Sequence, residues 1–180
     1  MSHVGRLLVA TPLIGDPNFE RTVLLLLAHG PEGALGVVLN RPSALPAEEV
    51  AGEWASKVAA PGVLFIGGPV DTDSVIGLAH GVGTRFGFEP LVDGLGTVDL
   101  NQRSHPGGPP WSGLRLFVGS AGWAPGQIED EIADGAWWVA DASGTDVATS
   151  DPDGLWRRVV ARQPGRVAWF ANCPLDPSQN

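Results

Sequence analysis

Thr22-Val23-Leu24-Leu25-Leu26-Leu27-Ala28-His29, then Gly30-Pro31-Glu32-Gly33, then Ala34-Leu35-Gly36-Val37-Val38-Leu39-Asn40 is the stretch that decides the fold. The first run is of strand length and apolar without polar alternation, so both of its faces must be covered, as in the middle of an α/β sheet. Gly30 to Gly33 is a turn signal, and the second run reads as a strand, which makes residues 22–40 a hairpin of central strands. Upstream, Arg6-Leu7-Leu8-Val9-Ala10 is a strand that enters a structured loop, because the prolines, Gly15 and the Asx residues of 11–18 break any ladder. Downstream, Pro46-Ala47-Glu48-Glu49 opens a helix, with proline at an N-terminal position and two carboxylates in the first turn. Val50, Trp54 and Val58 follow as one buried stripe.

Further along, 64–66 and 74–79 read as strands, and 91–95 and 97–100 as short paired strands inside a Gly- and Pro-rich stretch from 80 to 110. Residues 114–118 form a strand, 119–126 a loop, 127–133 a short helix and 136–140 a strand. Asp151-Pro152 starts a last helix running to Gln163, and 167–170 make a final strand before a polar tail. Strands and helices mixed without strict βαβ alternation indicate an irregular α/β domain. With no repeat, low-complexity tract or linker, 1–180 is expected to be one domain.

The 180 residues are 43% hydrophobic, with seven Trp, six Phe and no Tyr, which excludes a disordered chain. The 25 Gly and 16 Pro make long helices improbable. No apolar run nears the roughly 20 residues of a membrane span. Met1-Ser2-His3-Val4-Gly5-Arg6 has no signal-peptide character, so a cytoplasmic protein without membrane attachment is expected. One cysteine, Cys173, and four scattered His supply neither an internal disulfide nor a multi-thiolate zinc site. A net charge of −9 repels a phosphate backbone, so direct nucleic-acid binding is not expected.

Five segments recur in a familiar order: Leu7-Leu8-Val9-Ala10-Thr11-Pro12; Phe19-x-Arg21-Thr22-Val23; Gly33 through Asn40-Arg41-Pro42; Phe65-Ile66-Gly67-Gly68-Pro69-Val70; and Gly119-Ser120-Ala121-Gly122-Trp123-Ala124-Pro125-Gly126-Gln127-Ile128-Glu129-Asp130-Glu131-Ile132 with Ala136-Trp137. Together they closely resemble the YqgE/AlgH family of bacterial proteins, over almost the whole chain. The resemblance implies a single α/β domain of mixed α+β content, with a strongly bent, barrel-like sheet flanked by a few short helices. It implies no established reaction; one branch carries the label of transcriptional regulator. Ser120 stands where many members have Tyr, and Ala124 and Ile128 where Gly and Leu are usual.

Several chemistries fail on the residues themselves. Gly119-Ser120-Ala121-Gly122 lacks the first glycine of a nucleophile elbow, because Val118 stands there. Gly67-Gly68-Pro69 lacks the Lys-Ser/Thr of a phosphate loop, and Phe86 breaks the fingerprint begun by Gly81-x-Gly83. Glu129, Asp130, Glu131 and Asp134 crowd one helix without a His at i+3 or i+4. His29, His80 or His105 would have to approach in space, so neither a metal nor another cofactor is expected.

The candidate ligand-binding residues are therefore His29, Asn40, Arg41, Gly67, Gly68, Trp123, Gln127 and Glu129. Arg41 ends a buried strand and is an anion clamp if it faces a cleft, or else the partner of Glu129 or another carboxylate. Gln127 and Glu129 beside Trp123 make a polar rim over an aromatic wall. On this reading the Asn40-Arg41, Gly67-Gly68 and Trp123–Glu129 loops converge on one shallow site. The chain is then a non-enzymatic binding or regulatory protein for a small anionic ligand or a protein partner, monomeric or weakly dimeric. The alternative is a hydrolase or transferase acting on a small anionic substrate, with Arg41 binding it and His29 or Glu129 as base. A direct DNA-binding regulator ranks third, its one basic face being Arg158, Arg162 and Arg166.

Overall fold

The computed structural model describes residues 2–85, 87–102 and 111–172. The hairpin forms as its two apolar runs dictate: strand β2 (Val23–Gly30) pairs antiparallel with β3 (Gly33–Val38), Leu24 opposite Val38 and Leu25 opposite Val37. On the other side of β2 lies β1 (Arg6–Ala10), followed outward by β10 (Trp137–Asp141). Leu7, Val9, Val23, Leu25, Val37 and Leu39 enter one core, while their neighbours Leu8, Ala10, Leu24, Leu26 and Val38 enter another on the opposite face. Alternate side chains of a strand point to opposite faces, so two covered faces require an unbroken apolar run.

The sheet continues through β9 (Trp111–Trp123), a 13-residue strand with different partners at its two ends. Its C-terminal end pairs with β3, Ala34 opposite Trp123. Farther back it pairs on its other edge with β6 (Val70–Gly81), which carries β8 (Leu95–Val98) and then β7 (Phe88–Val92). Strand β5 (Val63–Ile66) runs parallel to β9 at Phe117 and Val118 and pairs with β4 (Pro42–Pro46). The result is a curled, largely antiparallel half-barrel. Its inside is the core where Leu7, Val23, Val37, Phe65, Leu78, Leu95, Phe117 and Ala140 meet, one from each of eight strands.

Among the described residues four short α-helices join the sheet: α1 (Glu48–Ala51), α2 (Gln127–Ala133), α3 (Gly144–Val147) and α4 (Leu155–Ala161). Helix α4 plugs the inside with Leu155, Trp156, Val159 and Val160, each worth roughly 1.5–3 kcal/mol of burial for an aliphatic side chain. Helix α2 covers the opposite face through Ile128, packed with Trp123 and Trp137.

Local structure departs from expectation where tertiary contact overrides pattern. Residues 119–123 are not a loop but the end of β9, so Ser120 lies in a strand opposite Val70 and is 3% exposed. The helix expected from Pro46 stops after one turn at Gly52, whose φ of +55° ends it. A 3-10 turn follows, burying Trp54 and leaving Val50 46% exposed. Asp93 and Gly94 both have positive φ, +52° and +75°, a hairpin turn that sets β7 and β8 at 88–92 and 95–98. Residues 167–170 are part of a 3-10 helix (Gly165–Asn172) instead of a strand, with Phe170 against Trp138 at 5.3 Å between ring centroids. Phe86, His105 and Cys173 lie outside the described residues. Among the described residues no helix is long and apolar enough to cross a membrane.

Candidate functional site

The eight candidate residues do not meet in one place. Ala34 pairs with Trp123, so Trp123, Gln127 and Glu129 lie at the turn end of the β2–β3 hairpin with His29. Arg41 leaves the other end of β3, seven residues away, which in extended chain is on the order of 20 Å. The expected convergence of the Arg41 and Gln127–Glu129 loops is therefore corrected: the length of the strand separates them, and Arg41 does not pair with Glu129.

Gly67 and Gly68 lie between the two ends, at the seam of the sheet. The Val38 N–H donates to the Gly67 carbonyl and the Gly67 N–H to the Val118 carbonyl, both at 2.8 Å. A Cβ on Gly67 would fall on the Gly119 carbonyl oxygen, and one on Gly68 on the Ser120 carbonyl. These glycines are buried where backbones touch, so their role here is to join β3 to β9, not to line a cleft.

At the turn end, polar groups satisfy one another. His29 Nδ1 accepts from the His3 backbone N–H at 3.0 Å, which puts the ring proton on Nε2, and Nε2 donates to Glu129 Oε1 at 2.8 Å. Its side chain is 3% exposed and stacked on His3, with 5.4 Å between centroids. Hydrogen bonding to its own backbone N–H, and then to His29, holds the Glu129 carboxyl below its usual range. Burial, followed by the neighbouring His29 and Arg6, lowers His3.

Glu131, which sequence reasoning left undistinguished among the acidic residues of α2, is the hub of this end. Its Oε2 accepts from the indole N–H of Trp123 at 2.9 Å and of Trp137 at 2.8 Å, and its Oε1 from Gln127 Nε2 at 2.8 Å. Buried indoles need acceptors, and that requirement was the available signal. Gln127 Oε1 in turn accepts from the Ala124 N–H. Among the described residues no group of three His, Cys, Asp or Glu is placed to hold a metal ion.

At the Arg41 end lies a cleft of about 550 Å³ lined by Pro17, Glu20, Arg21, Asn40, Arg41, Asp153, Trp156 and Arg157. Asn40 is a backbone clamp: its Oδ1 accepts from the Val23 N–H and its Nδ2 donates to the Arg21 carbonyl, both at 2.9 Å. The clamp holds Arg21 at φ +52°, a strained conformation for a bulky residue, with its guanidinium 4.9 Å from the centre of the Trp156 ring. Arg41 Nη2 donates to the Glu20 carbonyl at 2.6 Å. Neither Arg41 nor Arg157 has a carboxylate partner among the described residues, whereas Arg6, Arg158 and Arg162 pair with Asp141, Asp151 and Asp146. The signals for Arg21 and Arg157 were their adjacency to the hairpin and to Trp156, and neither pattern fixes a direction in space.

Two of the three arginines of the basic face expected of the last helix are paired with carboxylates. Arg162 donates from Nη1 and Nη2 to the two oxygens of Asp146, at 2.8 and 2.6 Å, and Arg158 contacts Asp151 and Thr149. Both line a larger groove, of about 770 Å³, but their charges are already matched there.

A family model described as AlgH-like (DUF179) matches residues 7–168. A UPF0301 protein of Streptomyces coelicolor is 46% identical, covering 99% of this chain and 96% of its own length. One from Thermobifida fusca is 45% identical over 100% and 96%. The crystal structure of a protein from Corynebacterium diphtheriae superposes with a TM-score of 0.89 at 33% identity, covering 96% of this chain and 93% of that one. The solution structure of AlgH from Pseudomonas aeruginosa superposes with a TM-score of 0.66 at 26% identity, over 94% and 93%. Profile, relatives and half-barrel agree, and the chain belongs to the AlgH-like family.

Proposed function

We propose that this chain is a non-enzymatic binding protein that recognises a small anionic ligand in the Arg41 cleft. One observation carries the reading: Arg41 and Arg157 line a common cleft and, among the described residues, neither has a carboxylate partner. Guanidinium forks of this kind match planar and tetrahedral oxyanions. A regulatory role then consists of sensing that ligand. The enzymatic alternative is less favoured because its parts are separated. His29 lies at the far end of the hairpin with both ring nitrogens engaged, so it has no lone pair left for a substrate proton.

The test is thermal stabilisation by inorganic phosphate, sulfate, acetate and citrate at constant ionic strength. A ligand at a hundred times its Kd adds about 2.7 kcal/mol, which is roughly 5–10 °C for a domain of this size. At least one anion is expected to produce such a shift in the parent, with little or none in Arg41→Ala. A parent that responds to none of them, or an Arg41→Ala variant that responds like the parent, overturns the proposal.

A further inference from the structure

Resting on that anion-binding reading, we infer that the cleft takes a phosphate monoester of a small hydroxyl-bearing molecule, in preference to a carboxylate. Arg41 and Arg157 come from separate chain segments, the exit of β3 and helix α4, and line the same cleft. A carboxylate has two oxygens in one plane and satisfies one guanidinium fork, which leaves the other unmatched. A phosphate monoester presents three terminal oxygens spread about its axis, so it can accept from forks on two sides at once.

Arg21 adds a third guanidinium to the lining. Its place is set by the Asn40 clamp on its backbone and by the Trp156 ring beneath it. Trp156 is itself fixed, its Nε1 donating to the Ala10 carbonyl at 2.8 Å. Asn40 is accordingly a positioning residue: it holds a strained turn that directs a cation into the cleft.

The remainder of the lining describes the remainder of the ligand. At about 550 Å³ the cleft falls in the range that holds small organic molecules, with room beyond a phosphoryl group. Glu20 and Asp153 share it. Carboxylates only accept hydrogen bonds, so they suit hydroxyl donors on the organic part and disfavour a second acidic group there.

The matched pair glycerol 3-phosphate and glycerate, with inorganic phosphate alongside, tests this by isothermal titration at fixed ionic strength. Glycerol 3-phosphate is expected to bind at least tenfold tighter than glycerate and measurably tighter than inorganic phosphate. Arg41→Lys, which keeps the charge and loses the fork, and Arg157→Ala are each expected to weaken it at least tenfold while melting near the parent; Arg158→Ala should leave it unchanged. Glycerate binding as tightly as the phosphate, still dependent on Arg41, overturns the phosphoryl inference and leaves the anion cleft standing. Inorganic phosphate binding as tightly as the ester overturns the hydroxyl-bearing part. Failure of all three compounds to bind, or binding that survives both the Arg41 and Arg157 substitutions, removes the anion cleft and this inference together.

Discussion

Arg115 stands in the middle of β9 at 1% exposure, its Nη1 donating to the Thr149 carbonyl at 2.8 Å and its Nη2 to the Ala60 carbonyl. The guanidinium lies 4.4 Å from the centre of the Phe65 ring, and its Nε–H finds no acceptor among the described residues. Burial pushes its pKa down to about 10, below the usual guanidinium range. A lowered value means that the folded chain holds this proton less tightly than the unfolded chain does. The charge therefore costs stability at neutral pH, a cost relieved only as pH rises above about 10. Arg115→Ala would leave two buried carbonyls unpaired and a cavity, and is expected to lose about 3 kcal/mol or more. Arg115→Met removes the same charge and the same two bonds but fills most of the volume, so it should lose markedly less. Urea unfolding of the two variants measures the cavity's share; equal losses would show that the two unpaired carbonyls, common to both, outweigh the cavity. Nothing in Leu114-Arg115-Leu116 marks the arginine as internal, because the strand pattern alone admits a charge on an open face.

At the scale of elements, the seam and the hairpin end each carry a prediction. Gly67→Ala drives a Cβ into the Gly119 carbonyl and is expected to destabilise by about 1–3 kcal/mol. Gly122, in the same sheet with no atom within 4 Å of its would-be Cβ and no positive φ, should accept Ala with little change. Equal melting of the two variants would place the seam elsewhere. At the hairpin end both shifted groups are lowered, His3 below its usual 6.5 and Glu129 below its usual 4.5. A depressed pKa contributes stability that is full above the unfolded value and lost as pH falls through the folded one. The His3 contribution is therefore lost first, below pH 6.5, and the Glu129 contribution lower still. Urea midpoints between pH 7.5 and 5 should fall less in His3→Ala than in the parent; parallel curves would remove His3 from the account. The hairpin, β1, α2 and β10 were legible in sequence, within a residue or so, because each is a run whose own pattern decides it. The 3-10 helix at 165–172 and the long β9 were not. Trp138 recruits Phe170, and the glycine seam draws 119–123 into the sheet, contacts that no local window contains.

Across the whole molecule, the candidate site was half legible for the same reason. His29, and Asn40 with Arg41, were recognised as polar ends of buried strands and Glu129 as part of a helix start, but which of them share a space depends on the curl of the sheet. That curl brings Arg41 and Arg157 to one cleft and places His29 at the opposite end of the hairpin. The same distribution bears on nucleic acid. A net charge of −9 opposes the counterion release that drives non-specific binding, and a local basic stripe is the remaining route to it. Two of the three arginines of that stripe are spent, Arg158 on Asp151 and Arg162 on Asp146. Arg41 and Arg157, without a carboxylate partner among the described residues, line a cleft shared with Glu20 and Asp153, a shape too confined to track phosphates along a duplex. We therefore predict no gel shift of duplex DNA by micromolar protein near 150 mM salt. Micromolar binding that disappears on joint replacement of Arg158 and Arg162 by Ala would show that those ion pairs open to phosphate. Binding that disappears with Arg41→Ala instead would make the cleft a docking point for a nucleic-acid phosphate, and in either case the regulator label would apply to this chain directly.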